Sequence, residues 1–251
     1  ILYIFIYLGQ KDIFSFCSTC KNYYKYFFDV FKSIKLNVMP QNENILFNFK
    51  NLNKLIVEYM IIKKIMKKII IPNYVEEIII DHVYIKLFEF PKFIKRLEII
   101  NKDNNINLNI FQSCIPKNIE ELKINNFNFH EMPNDYFSEC MIKKLECESL
   151  FFVSLSSSIK YAICKAVGEI NCDMDYLCCM YTNSYNNKNI ETFEIIGIIK
   201  YIPFVDLHNV KNIIFNGIIY YPKCDYRINK ESNVKFIGCH KEFEEFINLK
   251  R

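Results

Sequence analysis

The chain has 251 residues, a formal net charge of +4 and 51% hydrophobic residues. This length is enough to bury the core of one large domain or two smaller ones. The small charge does not favour the broad basic surface that a nucleic-acid or membrane partner requires, so we expect neither. The 11 cysteines have no regular pairing, which favours reduced thiols in a cytoplasmic or nuclear protein.

Residues 1–40 lack any repeat and are predicted to form a small bundle of three short helices. Apolar residues in 2–8 lie near helical spacing, Gly9 marks a break, and Asp12 is placed to begin a second helix. A third segment, 23–30, is rich in aromatic residues. A bundle of this size would be only marginally stable alone.

Local features of residues 1–36 follow the pattern of one family of helical bundles. They are a helix ending in Tyr7-Leu8, a polar link into Lys11-Asp12-Ile13, the run Thr19-Cys20-Lys21 followed by Tyr23-Tyr24, and a closing segment 31–36 with Phe31 in place of Trp. Together they resemble an F-box. The family's opening Leu-Pro-x-Glu motif has no counterpart here, and we expect the sequence to begin inside the bundle.

The F-box resemblance implies docking onto a Skp-family adaptor of a cullin–RING ubiquitin ligase. By position, the residues that would form the adaptor contact or the bundle core are Ile1, Ile4, Phe5, Leu8, Ile13, Phe16 and Cys20. A second interpretation stays open. Repeat proteins need a cap over the exposed end of their core, and a helical bundle at this position would also supply one.

From residue 41 onward one apolar pattern recurs. It is clearest at Ile119, Leu122, Ile124 and Phe127. Its second apolar position is found again at residues 55, 78, 97, 122, 145, 170, 193, 213 and 234. A period in the low twenties with an L-x-x-L-x-L core is typical of leucine-rich repeats. The stretch 115–129 is also similar to the FNIP repeat, a leucine-rich-repeat relative that occurs behind F-boxes.

The repeats predict the fold. Residues 41–251 should form an α/β leucine-rich-repeat solenoid of about nine irregular repeats with a parallel sheet, because each strand needs a neighbour to bury its apolar face. The usual asparagine ladder is absent, so we expect irregular turns. We also expect a helix over 61–70, irregular chain over 151–166, a loop over 178–189, and a C-terminal helical cap after residue 240.

The exposed strand positions predict a concave docking surface for another protein, although a merely solvated sheet face is the simpler alternative. The predicted binding residues, one from each strand, are Ile56, Ile79, Glu98, Lys123, Glu146, Glu194 and Ile214. Asn171 and Lys235 belong to the same predicted column. Three apolar members would act as anchors for an unknown protein substrate.

We find no catalytic motif. The four histidines lie in different repeats, and the one C-x-x-C pair, Cys17 and Cys20, has no second pair at zinc-finger spacing. We therefore expect no enzyme activity, no cofactor and no metal. The sequence favours a substrate-recognition adaptor of a Skp/cullin/F-box-type ubiquitin ligase. The alternatives are a stand-alone leucine-rich-repeat scaffold and, from another class, an enzyme or regulator that uses a loop arginine on a nucleotide-bound partner.

Overall fold

The computed structural model describes residues 32–36, 45–58, 68–101, 115–125, 140–150, 157–167, 172–182, 185–186, 190–197, 204–218 and 225–250. The chain divides into two compact units, 1–100 with 113–116 and 101–112 with 117–251. The predicted F-box-like bundle, with Ile1, Ile4, Phe5, Leu8, Ile13, Phe16 and Cys20, lies outside the described residues. Within them, no helix has the length and apolar character that a membrane span requires.

The first unit is a stack of short parallel strands. Its described elements are β1 (Ser33–Lys35), a 3₁₀ helix (Ile45–Asn48), β2 (Lys54–Val57), β3 (Ile69–Ile70), β4 (Glu77–Asp81), a second 3₁₀ helix (His82–Leu87), β5 (Phe88–Glu89) and β6 (Arg96–Ile100). Strands β1, β2, β4 and β6 lie side by side in that order. Strands β3 and β5 pair in a second, two-stranded parallel sheet. Strand β1 falls inside the range predicted for the bundle.

Alternation of buried and exposed side chains explains this stack. Ile34, Leu55, Ile78 and Leu97 are register partners and are between 0 and 4% exposed. The apolar residue two positions later in β2, β4 and β6 is buried as well. Because side chains two apart in a strand point to one side, these residues form one continuous core. The predicted alignment of residues 55, 78 and 97 is confirmed.

The second unit repeats this arrangement. Its strands are β7 (Glu121–Ile124), β8 (Lys144–Leu150), β9 (Tyr161–Val167), β10 (Met174–Thr182), β11 (Tyr185–Asn186), β12 (Ile190–Ile196), β13 (Phe204–Leu207), β14 (Asn212–Asn216), β15 (Asp225–Ile228) and β16 (Asn233–Ile237). Of these, β8, β9, β10 and β12 are longer than the strands of the first unit. The main parallel sheet has the order β7-β8-β9-β10-β12-β14-β16, and β11, β13 and β15 form a second parallel sheet.

The register corrects the predicted repeats. The alignment of Leu122 with Leu145, and of Phe193 with residues 213 and 234, is confirmed. Between Leu145 and Phe193 the prediction of one copy at residue 170 is wrong. Two strands lie there, with Ala162 and Leu177 at the core position, so the steps shrink to 17, 15 and 16 residues. With them, the described main strands exceed the nine repeats predicted.

Three predicted connections are also wrong, at least in part. Residues 161–166, expected to be irregular, belong to β9, and β10 extends to Thr182 in the segment expected to be a loop. Residues 69–70, expected at the end of a helix, form β3. The described residues contain one α-helix and two 3₁₀ helices beside sixteen strands. The described part is therefore a parallel β-solenoid with few helices, and the predicted α/β character is not found in it.

Backbone hydrogen bonds connect the starts of successive strands. At the start of several strands, two successive N–H groups donate to one carbonyl at the start of the preceding strand. Lys143 and Lys144 both donate to the Glu120 carbonyl, and Lys160 and Tyr161 both donate to the Lys143 carbonyl. Serine hydroxyls serve other turns, and Ser232 Oγ donates to the Val210 carbonyl at 2.7 Å. These bonds satisfy backbone groups at the strand entries, and the Asn212 side-chain amide donates to the Glu191 carbonyl at 3.4 Å.

Three glycines end the last strands of the second unit at equivalent positions. Gly197, Gly217 and Gly238 follow residues 196, 216 and 237, which are aligned in the sheet. All three have positive φ, between 62° and 88°. Their amides continue the ladder, since Gly197 donates to the Asn216 carbonyl at 2.9 Å and Gly217 to the Ile237 carbonyl at 2.7 Å. Glycine is the residue that leaves a strand in this conformation at least steric cost.

Helix α1 (Lys241–Lys250) follows the last strand, where the sequence predicts a helical cap. Phe243 is fully buried, and its ring packs edge-on against Phe215 with centroids 5.0 Å apart. Tyr226 and Phe236 complete the aromatic cluster. Helix α1 thus covers apolar surface that a further strand would otherwise bury.

Candidate protein-binding face

Each unit has an exposed strand face made of the side chains that alternate with the core. In the first unit, Ile56, Ile79 and Glu98 are register partners and all three are half-buried. In the neighbouring column, Glu77 Oε1 lies 2.9 Å from Lys54 Nζ and 3.5 Å from Arg96 Nη1. This face is therefore dominated by cross-strand ion pairs beside two isoleucines.

The second unit aligns a longer column on its exposed strand face. The register partners are Lys123, Glu146, Ile163, Cys178, Glu194, Ile214 and Lys235. The predicted members 123, 146, 194 and 214 are thus brought together on this one unit. Asn171, which was predicted between residues 146 and 194, lies outside the described residues, and Ile163 and Cys178 occupy the corresponding positions.

The centre of this face is apolar. We call Ile163, Cys178, Met180 and Ile196 the apolar patch; they come from β9, β10 and β12. They line a cavity of about 330 Å³ together with residues of β7 and β8. Ile196 is 36% exposed, so the patch opens to solvent. Sequence reasoning missed the patch residues of β9 and β10 because it placed a single repeat at residue 170. The alternation in Tyr161-Ala-Ile-Cys-Lys-Ala-Val167 was the available signal.

Two ion pairs border the cavity. Lys123 Nζ lies 3.0 Å from Glu146 Oε1, and Lys165 Nζ lies 2.7 Å from Glu148 Oε1. Both pairs cross between neighbouring strands. Exposed pairs of this kind contribute only about 0–1 kcal/mol to stability. Their main effect here is to neutralise the charge of the two carboxylates next to the patch.

Glu194 differs from these carboxylates because only neutral groups donate to it. The Tyr176 hydroxyl donates to its Oε2, and Asn216 Nδ2 donates to its Oε1 at 2.7 Å. No lysine or arginine in the described part of the chain forms an ion pair with Glu194. Burial, and next the hydrogen bond to Glu194, raise the pKa of Tyr176 above its ordinary value. The Tyr176 phenol therefore stays a hydrogen-bond donor to Glu194.

Two tyrosines lie on the same face, and one of them, Tyr176, is a hydrogen-bond donor to Glu194. Tyr161 is 47% exposed, and its ring centroid lies 6.5 Å from that of Tyr176. The two tyrosines are register partners on β9 and β10. Exposed tyrosines next to apolar side chains are enriched in protein interfaces, where the ring is buried and the hydroxyl keeps a polar partner.

The cysteines behind this face form part of the core. Cys147, Cys164 and Cys179 are register partners on β8, β9 and β10, and all are buried free thiols. Burial raises the pKa of each thiol well above its ordinary value. A neutral buried thiol is a poor nucleophile and metal ligand. In keeping with this, the described residues contain no group of three or more side chains suited to a metal ion.

Comparison with known proteins finds no relative: no family model matches the chain, and no curated protein or solved structure is significantly similar to it.

Proposed function

We propose that the chain is a protein-binding solenoid that holds a partner on the exposed strand face of its second unit. The observation that supports this most directly is the apolar patch of Ile163, Cys178, Met180 and Ile196, which opens into a cavity of about 330 Å³. Concave apolar sites with a few polar groups at their border are typical binding sites. Solenoids present such strand faces to other proteins.

A narrower proposal adds the role predicted from the first 36 residues, recruitment of a bound protein to a Skp/cullin/F-box-type ubiquitin ligase. It is supported by the F-box resemblance in the sequence. The chain would then make and break no bond itself, but would raise the effective concentration of its partner at the ligase. The rival is a scaffold with the same binding face and no ligase link.

Site-specific photocrosslinking followed by reconstitution tests the binding face. A benzophenone amino acid replaces Ile196 in one variant and Lys230, an exposed turn residue, in the control. We expect one protein to be crosslinked from position 196 and not from 230. The purified partner should then bind the unmodified chain and lose at least tenfold in affinity to Ile163→Glu. If no protein shows this dependence on position, the proposed face is not a binding site.

Copurification with a Skp-family adaptor tests the ligase link separately. The full chain is compared with Leu8→Glu and Phe16→Glu, which place a charge at positions predicted to contact the adaptor. We expect the adaptor to bind the unmodified chain and neither variant. An adaptor that fails to bind the unmodified chain would favour the scaffold.

A further inference from the structure

Next to its apolar patch, the exposed strand face of the second unit carries a carboxylate that no lysine or arginine of the described residues pairs with. Three carboxylates lie in or beside the patch: Glu146, Glu148 and Glu194. Lys123 and Lys165 neutralise the first two, at 3.0 and 2.7 Å. Among the described residues, Glu194 receives hydrogen bonds only from a phenol and an amide. Next to the patch, Glu194 therefore offers a cationic group a carboxylate that has no ionic partner among the described residues.

Glu194 and the cavity are contiguous. Cys178 lines the cavity and is the register partner of Glu194 in the adjacent strand. A partner segment that fills the cavity with an apolar side chain therefore passes directly beside this carboxylate. On the other side of Glu194, Ile214 is the next register partner, so apolar surface lies on both sides of the charge.

The surroundings of Glu194 suit a cation better than bulk water does. Glu194 is half-buried, and Tyr176 and Asn216 hold both of its oxygens in place. Hydrogen bonds between a charged donor and a carboxylate are about twice as strong as neutral ones. The ring of Tyr176, which donates to Glu194, packs against the exposed ring of Tyr161, and aromatic rings attract guanidinium groups.

The geometry points to an extended peptide as the partner. An arginine or lysine of this peptide pairs with Glu194, while a neighbouring apolar side chain enters the cavity beside Ile163 and Met180. This inference rests on the proposed function, and it names the residue types that the binding face selects. The preference for a cation follows from charge complementarity, because an acidic segment would place two carboxylates together with no cation between them.

Selection of a random nonapeptide library on the purified full chain tests the inference. Peptides are first depleted on Ile163→Glu and are then selected on the unmodified chain. We expect the enriched peptides to carry an arginine or lysine within a few residues of an apolar side chain. Replacing that basic residue by citrulline or by glutamine should weaken binding about tenfold, as expected for loss of one charge-assisted hydrogen bond.

Variants of the chain complete the test. Glu194→Gln keeps the size of the side chain and its contact with Asn216, and should cost the basic peptides about tenfold in affinity while leaving their citrulline or glutamine forms unchanged. Glu191→Gln is the matched control, since it removes the same charge from an exposed position on the same strand. Affinity there should not change.

The outcomes separate the two claims. One outcome is that the enriched peptides lose affinity for Ile163→Glu but show no preference for basic residues, or bind Glu194→Gln as well as the unmodified chain. In that case the binding face stands and the inference is overturned. If no enriched peptide depends on residue 163, both the face and the inference are overturned. Folding of every variant is checked by circular dichroism and urea unfolding.

Discussion

The two units bury their cores in the same way but present different exposed strand faces. In the first unit, Lys54, Glu77 and Arg96 form a ladder of ion pairs. In the second, the same strand level carries Tyr161 and Tyr176, and the level above carries Ile163 and Cys178. A common architecture therefore carries paired charges at the first level in one unit and two tyrosines there in the other, while the level above includes apolar side chains in both, Ile56 and Ile79 in the first unit.

The strands of the two units also differ in length. Strands β2, β4 and β6 have 4, 5 and 5 residues, whereas β8, β9, β10 and β12 have 7, 7, 9 and 7. At the strand level of Met180 and Ile196, β4 and β6 carry Asp81 and Ile100. The two units therefore differ at this level in their side chains and not in the number of positions. Because the steps between the longer strands are shorter, fewer residues remain for the connections and a larger share of the chain lies in the sheet. The cavity lies where these longer strands are stacked.

The largest expected effect on stability comes from removing a side chain from the buried core. Phe193 is fully buried at the central register position of the second unit. Phe193→Ala should lower the free energy of unfolding by about 3–5 kcal/mol, because it removes buried apolar surface and leaves a cavity. Urea unfolding followed by circular dichroism measures the change. Tyr161→Ala, at a side chain 47% exposed, is the control and should cost less than about 1 kcal/mol. Equal losses would contradict the observed burial.

Binding should distinguish the two faces. Ile163→Glu introduces a charge into the apolar patch and should weaken partner binding at least tenfold, which is about 1.4 kcal/mol. Ile56→Glu makes the same change on the face of the first unit and should leave the affinity within about twofold. Calorimetric titration with the crosslinked partner or a selected peptide measures both. A larger loss from Ile56→Glu would assign binding to the first unit instead.

Alkaline pH should destabilise the second unit, where all the cysteines of the described residues lie. Burial raises the pKa of Cys178 to about 11, so the fold favours its neutral thiol. This contribution is fully present below the thiol's unfolded pKa of about 8.5 and is lost as pH rises from there toward 11. Urea unfolding at pH 7, 9 and 10.5 should show a progressive decrease that is smaller in Cys178→Ala. A flat profile for the unmodified chain would contradict the prediction.

The aligned glycines predict an effect of moderate size. At Gly217 the φ angle is 68°, and no atom lies within 4 Å of the place that a Cβ would take. Gly217→Ala should therefore cost about 1 kcal/mol from backbone conformation alone. Gly217→Asn should cost less, because asparagine tolerates this conformation better. Thermal unfolding of the two variants gives the comparison, and an unchanged Gly217→Ala protein would show that the positive φ is not required.

The smallest effect should come from the ionic face of the first unit. Glu77→Gln removes the carboxylate that Lys54 and Arg96 share. We expect a loss below about 1 kcal/mol that decreases further in high salt, since exposed pairs are weak and screened. Urea unfolding at low and at high salt measures it. A loss of several kcal/mol would mean that these pairs stabilise the unit much as its core does.

The sequence predicted the parts of the fold in which large aliphatic residues mark the core. Leu55, Ile78 and Leu97 align as expected, because a leucine or isoleucine at a constant step is easily distinguished. The prediction failed where small residues take the same place. Ala162, Cys164 and Cys179 are buried, but alanine and cysteine carry little hydrophobic signal, and the step between strands also shortens there. A fixed repeat period therefore predicts one strand where the structure has two, β9 and β10.

The candidate site was predicted only at its border for the same reason. Glu146, Glu194 and Ile214 were assigned to the exposed column from the register of well-marked strands. Ile163, Cys178 and Met180 belong to the two strands that were missed. That Glu194 has no ion pair among the described residues was also beyond prediction, because this depends on which side chains of neighbouring strands reach its oxygens.

Methyl NMR of the methionines tests the central claim, that a partner is held on the apolar patch, most directly. The methyl group of Met180 lies at the cavity, while Met174 is buried and Met141 is 60% exposed away from it. With methyl-labelled methionine, addition of the partner or a selected peptide should shift the Met180 signal and leave those of Met174 and Met141 in place. A saturating partner that leaves the Met180 signal unchanged would contradict the account.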